Sequence, residues 1–308
     1  MRLAAIDIGT NSTKMTVADI SENGVLTVLS EVSEVTRLGE GVDASKLLGD
    51  AAIFRTLEAV TRFARSARGQ GAEEVLGAGT SALRDAANGQ EFLAQARLQA
   101  GVEIQIITGD REAQLAYAAV RSDSTLSIPA EAALLVFDIG GGSTELILGD
   151  RTGVGRHASL NIGAVRFTER FLHSDPPSLE QMAHARDAAD TALRTFPAPE
   201  TMPLLAAIGG TALNIAAVTQ GISKPEPDTL HGLSITQENV AAALERFAHV
   251  AVSERREIPG LEPKRADVIV AGAIILDTLL TYFHAHRFLL SARGLRYGLL
   301  ADHAKSHH

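Results

Sequence analysis

Two short strings in this chain combine the residue types that hold a phosphate. Asp7-Ile8-Gly9-Thr10-Asn11-Ser12-Thr13 and Asp138-Ile139-Gly140-Gly141-Gly142-Ser143-Thr144 agree at five of seven positions. Each follows an apolar run and precedes another strand-like run. Glycine lets the backbone turn sharply and bring N–H groups close to an anion, and the hydroxyls add donors. The Asp at the strand end is badly placed to touch that anion but well placed to hold a magnesium ion or its water shell. A glycine turn after one strand is ordinary hairpin chemistry. Two copies with Asp and Ser-Thr at the same offsets are instead read as an internal duplication of a phosphate loop, with Gly9 to Ser12 and Gly140 to Thr144 as phosphate-binding residues.

Two further strings resemble anion sites. Leu204 to Ile208, then Gly209-Gly210-Thr211, then the helical run Ala212 to Val218 place a glycine turn at a helix N-terminus, where free N–H groups and the helix dipole favour negative charge. Close packing of the helix on its strand explains the same glycines equally well. Gly79-Thr80-Ser81-Ala82-Leu83-Arg84-Asp85 offers the hydroxyls of Thr80 and Ser81 beside Arg84, whose guanidinium suits bidentate phosphate contact. A plain ion pair of Arg84 with Asp85 or another helix carboxylate is the alternative. Glu145 lies two residues beyond Ser143, so strand alternation points both to one side, and Glu145 joins Asp7 and Asp138 as a candidate metal- or water-organising carboxylate.

The elements that must carry these residues alternate between strand and helix. A three-strand meander is read from Leu3 to Ile6, through Met15 and Val17, around a turn at Ser21 to Gly24, and along Val25 to Val35. Apolar residues at helical spacing (Ile53, Leu57, Val60, Ala64) predict a helix from Ala51 to Ala67. Strands at Val75 to Ala78 and Val102 to Ile107 and helices at Glu91 to Ala100 and Arg111 to Val120 follow, and the polar stretch Ser122 to Pro129 marks a boundary. The second half repeats the outline: a strand at Ala132 to Phe137, strands to about Asn161, helices from Ala164 to Leu172 and Ser178 to Thr195, a strand at Leu204 to Ile208, then helices to the end. The expected division is 1–122 with the closing helix 294–308 as one domain and 123–293 as the other.

Composition bounds the partners. With 308 residues, 45% of them hydrophobic and 21% charged, the chain has length for two globular domains. No apolar run approaches the ~20 residues that span a bilayer, and the start lacks a signal peptide, so a cytoplasmic protein is expected. The absence of cysteine excludes disulfides, thiolate metal sites and cysteine nucleophiles, leaving oxygen or imidazole for any metal. A formal net charge of -9 argues against duplex nucleic acid as partner, although a cleft on an acidic protein can be locally positive.

Taken together, these strings resemble the exopolyphosphatase and guanosine pentaphosphate phosphohydrolase (Ppx/GppA) family within the actin-like ATPase superfamily. The resemblance runs over essentially the whole chain, through DIGTNS, GTSALRDAANG, ITGDREAQLAY, FDIGGGSTEL, NIGAVRFTERF, IGGTALNIAAV, HGLSIT and SARGLRYGLL. It implies an α/β fold of two duplicated actin-like, ribonuclease H-like domains flanking a cleft, with Asp7 and Asp138 facing each other across it. It implies release of orthophosphate from inorganic polyphosphate or guanosine pentaphosphate, with a divalent cation, most plausibly Mg2+, held by Asp7, Asp138 and Glu145. It also implies that Glu112 is the catalytic carboxylate, with Glu145 as a second. A carboxylate that orients and deprotonates water suits phosphoanhydride hydrolysis, whereas a Glu at a helix start is otherwise a partner of the helix dipole. The sequence departs from the pattern at Lys14, where many members have Arg, and stops after the closing helix as the short members do. Processive action on long chains is therefore not implied, short chains stand among the candidate polyphosphates, and a homodimer stays open. Two other classes compete: an ATP-hydrolysing enzyme or switch on the same fold, and a non-enzymatic binder of alarmone or polyphosphate. The first lacks a recognisable sugar- or peptide-binding insertion, and the second gives no use for Glu112, Asp138 and Glu145 together.

Overall fold

The computed structural model describes residues 1–21, 25–223 and 227–306. The expected turn at Ser21 to Gly24 falls mostly outside them, as do the two terminal His residues. The chain divides into two compact units: Met1–Ala119 with the segment from Gly294 onward, and Val120–Arg293.

In the first unit five strands, β1 (Arg2–Ile8), β2 (Ser12–Ile20), β3 (Leu26–Val35), β4 (Glu74–Gly79) and β5 (Ile104–Ile106), form a sheet of order β3-β2-β1-β4-β5. The first three pair antiparallel, while β4 runs parallel to both β1 and β5. Alternation along β1 sends Ala4, Ile6 and Ile8 to one face, where they meet Leu57, Val60 and Phe63 of the Asp50–Gly69 helix. Leu3 and Ala5 go to the other face and pack on Leu300 and Ala304 of the Leu295–Ser306 helix. The closing helix therefore supplies half the cover of a sheet begun almost three hundred residues earlier. Gly298 lets it approach, since a Cβ there would collide with the backbone of Leu115.

The second unit repeats this plan with β6 (Leu134–Ile139), β7 (Thr144–Asp150), β8 (Gly153–Leu160), β9 (Leu204–Ile208), β10 (Ser234–Thr236) and β11 (Arg287–Leu290), in the order β10-β11-β9-β6-β7-β8. Strands β8-β7-β6-β9-β11 correspond to β3-β2-β1-β4-β5 in order and direction, the arrangement of a ribonuclease H-like domain, and β10 adds an antiparallel edge. The Ile269–Tyr282 helix is mostly apolar, and Ile269 to Leu280 are all buried within this unit, with Asp277 paired to Arg186. Reading the last third of the chain as helices alone misses β10 and β11. They are three and four residues long, too short to show a period-2 pattern.

The duplication extends to register. Asp7 lies opposite Lys14 and Ile8 opposite Thr13 in one unit, and Asp138 opposite Glu145 and Ile139 opposite Thr144 in the other.

A buried polar node fastens the two ends of the second unit. Asp123 accepts Arg293 Nη1 at 3.0 Å and the Thr125 hydroxyl at 2.6 Å, and His231 Nε2 lies 3.2 Å from its other oxygen. The Ala292 amide donates to His231 Nδ1 at 3.2 Å, which fixes the neutral ring with its proton on Nε2, toward Thr125 Oγ1 at 2.8 Å. Burial holds the His231 pKa below its ordinary value, with Arg293 adding to the effect and Asp123 and Asp228 opposing it. A base with a folded pKa below its unfolded one binds fewer protons when folded, so stability is lost as pH falls through the unfolded value near ~6.5, by at most ~1.4 kcal/mol per pH unit. Urea midpoints at pH 7.5 and 5.5 should therefore fall less in His231→Asn, which keeps an acceptor for Ala292 but does not titrate. Equal falls in the two proteins would refute the assignment.

Candidate active site

The second loop owes its shape to what its carbonyls bind. Gly140 O accepts the Ala164 amide at 2.9 Å, and Gly141 O accepts the amides of Val165 and Arg166 at 2.9 and 3.1 Å. Gly142 O accepts Arg166 Nε at 2.7 Å. In a trans peptide the C=O of one residue and the N–H of the next point opposite ways. With three successive carbonyls drawn to the start of the Ala164–Phe171 helix, the amides of Gly141, Gly142 and Ser143 face away from it. Gly163 permits the contact, because a Cβ there would overlap the backbone of Gly141 and Gly142. In the first loop Thr10 O accepts Gly39 N at 2.9 Å, and Asn11 O accepts the amides of Thr36 and Arg37 at 3.1 and 3.0 Å. The amides of Asn11 and Ser12 thereby turn outward too. A bond from Gly9 N to Ser12 O at 3.0 Å, matched by Gly140 N to Ser143 O at 2.9 Å, closes each turn.

The threonine hydroxyls mostly brace these loops. Thr144 donates to Ile162 O at 2.6 Å, Thr211 to Ile139 O at 2.8 Å, and Thr80 to Ile8 O at 3.4 Å. Thr10 and Ser81 share a hydrogen bond of 2.8 Å, which joins the first loop to the Gly79–Arg84 motif. Asn11 differs: it is 6% exposed, and neither polar atom of its side chain has a protein partner. A buried amide of this kind calls for a partner from outside the chain.

In the second unit Asp138 and Glu145 are directly opposed across β6 and β7, so their carboxylates share a face. Glu145 Oε1 accepts Ser143 Oγ at 2.6 Å and Ser159 Oγ at 2.9 Å. The third loop comes up beside them. Gly209 adopts φ +87°, and a Cβ on it would overlap the Asp138 carboxylate. Asp138, Glu145 and the 140–144 and 209–211 loops are thus one cluster.

The first unit gathers a different set. Asp7 faces Lys14 across β1 and β2. Burial pushes the Asp7 carboxyl upward, against the opposing pull of the Lys14 and Arg296 charges. Arg296 donates to Met15 O at 2.9 Å and pairs with Glu31 at 3.1 Å. Arg84 donates Nη1 to Glu112 Oε2 at 2.8 Å and to Ile107 O at 3.0 Å. Glu112 stands in the first turn of the Gly109–Arg121 helix, its amide bonded to Thr108 O at 2.9 Å. Base candidate and phosphate-contact candidate therefore form one ion pair.

Four residues absent from the sequence-based site belong to this machinery. Arg166 and Ser159 were visible only as part of a motif and a strand. Arg265 lies against Gly210, where a Cβ would strike its guanidinium, and Asn214 donates to Gly210 O at 2.9 Å. No periodicity or spacing marks a contact between residues 55 positions apart, such as Gly210 and Arg265. Among the described residues no group of three or more His, Cys, Asp or Glu could hold a metal by itself, and no helix is long and apolar enough to cross a membrane.

The model of the Ppx/GppA phosphatase family matches residues 16–307. Exopolyphosphatase 2 of Mycobacterium tuberculosis is 34% identical over 291 residues, covering 90% of this chain and 89% of that protein. A putative exopolyphosphatase of Haemophilus influenzae is 33% identical over 299 residues, covering 97% and 90%. The crystal structure of the Ppx/GppA family member of Aquifex aeolicus matches with a TM-score of 0.83 at 30% identity, over 100% of this chain and 99% of that one. An exopolyphosphatase-like protein of known structure matches with a TM-score of 0.91 at 29% identity, over 99% and 98%. Agreement of this extent in sequence and in fold means that the chain belongs to the Ppx/GppA phosphatase family, as a phosphohydrolase of two ribonuclease H-like units.

Proposed function

We propose that this protein releases terminal orthophosphate from inorganic polyphosphate, short chains included, or from guanosine pentaphosphate, by attack of water on the end phosphorus. The observation that carries the reading is the second loop: three outward amides beside two carboxylates on one face. Amides without side chains suit the oxygens of any terminal phosphate, and nothing in that loop demands a nucleoside. The exopolyphosphatase names of the curated relatives favour polyphosphate as the first substrate to try.

Asp138 and Glu145 fit a divalent cation of the magnesium type. That ion takes one or two carboxylates and completes its shell with phosphate oxygens and water, so a pair of carboxylates beside a phosphate loop is the right donor set and a larger cage is not required. When bound, the ion would neutralise charge building on the phosphate oxygens. Asp7, grouped with these two carboxylates in the sequence reading, is given a different role in this proposal. With Lys14 opposite and Arg296 near, we assign Asp7 to holding those cations for the substrate's anionic oxygens.

Glu112 is the proposed base. An entering phosphate competes for the Arg84 guanidinium, for which it is a strong bidentate partner. The carboxylate so released accepts one proton from water as the water oxygen bonds to phosphorus and the bridging P–O bond breaks. The leaving oxygen departs on the shortened chain. Its negative charge needs no protonation when it is a phosphate.

Glu112→Gln preserves size and removes the base, so phosphate release from tripolyphosphate should drop at least ~10²-fold while KM stays near that of the wild type. Near-normal turnover in a variant with an unchanged thermal transition would remove Glu112 from the role.

For the metal, exhaustive chelation should abolish release and magnesium should restore it. Glu145→Gln should need more magnesium for half-maximal rate, and should bind Mn2+ more weakly when the ion's spin-resonance signal is titrated without substrate. Full turnover in the chelated protein would overturn the metal assignment and leave the hydrolytic one standing.

A further inference from the structure

The third glycine loop is enclosed by a ring of contacts that the reaction scheme above does not use. Asn214, 6% exposed on the Gly210–Thr219 helix, donates Nδ2 to Gly210 O at 2.9 Å. Its Oδ1 accepts the amide of Glu262 at 2.7 Å, across 48 residues of chain. The Glu262 carboxylate accepts Arg265 Nε at 2.9 Å over the short 3-10 turn Pro263–Arg265. The Arg265 guanidinium then returns to lie against Gly210, so close that no Cβ could stand there. The circuit runs from Gly210 through Asn214, Glu262 and Arg265 and back to Gly210.

Each link narrows what the next can do. A buried Asn whose oxygen meets an N–H and whose nitrogen meets a carbonyl cannot flip without setting like against like. It therefore fixes Glu262 in height above the loop. With Nε committed to Glu262, the plane of the guanidinium is set. Arg265 is only 8% exposed, and a buried arginine is costly unless its charge is shared. The turn is tethered from its far side as well, where Ala266 O accepts Nη1 of the fully buried Arg255 at 2.7 Å. A guanidinium held in place by both neighbours loses little rotamer freedom when it meets an anion.

We infer that Asn214 and Glu262 form a positioning bracket that aims the Arg265 guanidinium at a phosphate oxygen of substrate lying on the Gly209-Gly210-Thr211 loop. The inference rests on the phosphate-binding reading of that loop. An ion pair within one turn and an Asn capping its own helix would give the same distances without any such function. Coupling separates the two.

The test is a double-mutant cycle in the full chain, with Asn214→Leu, Arg265→Met and the pair. It reads KM and kcat on inorganic tripolyphosphate with magnesium, and calorimetric binding of tripolyphosphate in the Glu112→Gln background, where affinity is read without turnover. Loss of a charged hydrogen bond in Arg265→Met should weaken binding about ten- to a hundredfold. Asn214→Leu should weaken it severalfold with little change in kcat, and the double variant should bind no worse than Arg265→Met alone. Should Asn214→Leu fail to fold, Glu262→Ala and Glu262→Gln take its place: Ala should weaken binding and Gln, which still accepts Nε, should restore most of it. Additive losses in the cycle, an unchanged affinity in Arg265→Met, or Gln behaving as Ala would each overturn the bracket. A failure of the hydrolytic reading shows separately, as no phosphate release from tripolyphosphate by the wild type with magnesium.

Discussion

Everything proposed for the site depends on the capture of loop carbonyls. A glycine loop has no inherent polarity toward a ligand, since every peptide presents an acceptor on one side and a donor on the other. In the second loop the Ala164–Phe171 helix and Arg166 bind the acceptors of Gly140, Gly141 and Gly142. Only donors are left on the opposite side. The helix start has orphan amides that need acceptors, and the loop has carbonyls that must be kept from the anion, so one set of bonds satisfies both. Burying Arg166 follows from this arrangement.

The same frame carries a different cross-strand partner in each copy, and the proposed mechanism gives the two copies different roles. Opposite the strand-end Asp, the first unit carries Lys14 and the second carries Glu145. Backbone, turn closure and register are otherwise shared. A lysine there makes the Asp half of a charge pair, which suits an anion's negative oxygens. A glutamate there makes a dicarboxylate face, which suits a cation. On the proposed mechanism, the duplicated fold divides between its two copies the charges that a metal-assisted phosphohydrolase must manage, through this cross-strand position.

Much of this was legible in the sequence, for reasons that can be stated locally. The strand-turn-strand loops are contiguous, so Asp, Gly and Ser-Thr at fixed offsets reveal them, and the alternation that set Ser143 and Glu145 on one side is realised as a hydrogen bond of 2.6 Å. Helices with an apolar stripe, such as Asp50–Gly69, announce themselves by period. What stayed hidden joins distant parts of the chain. The Arg84–Glu112 pair spans 28 residues and the Asn214–Glu262 bond 48. The use of threonine hydroxyls as braces also lay beyond a motif reading. Spacing says that a Thr stands at the loop, but only the position of Ile139 O relative to Thr211 says where its proton goes.

An acidic chain with a proposed polyanionic substrate has to place cations without leaving them to collapse on the wrong partner. Here most of the arginines at the loops come with a carboxylate of their own: Arg84 with Glu112, Arg265 with Glu262, Arg296 with Glu31. Such pairs carry little net field; in the Arg84–Glu112 pair the proposed affinity for phosphate arises from exchange of partners, whereas Glu262 is proposed to keep its hold on Arg265 Nε. Exchange has a consequence for turnover. In the proposed cycle the carboxylate displaced by the substrate would return to its arginine when product orthophosphate leaves, which would lower the cost of release. In the Arg84–Glu112 pair the displaced group is also the proposed base, so the arrival of phosphate would itself free the carboxylate that acts on the water.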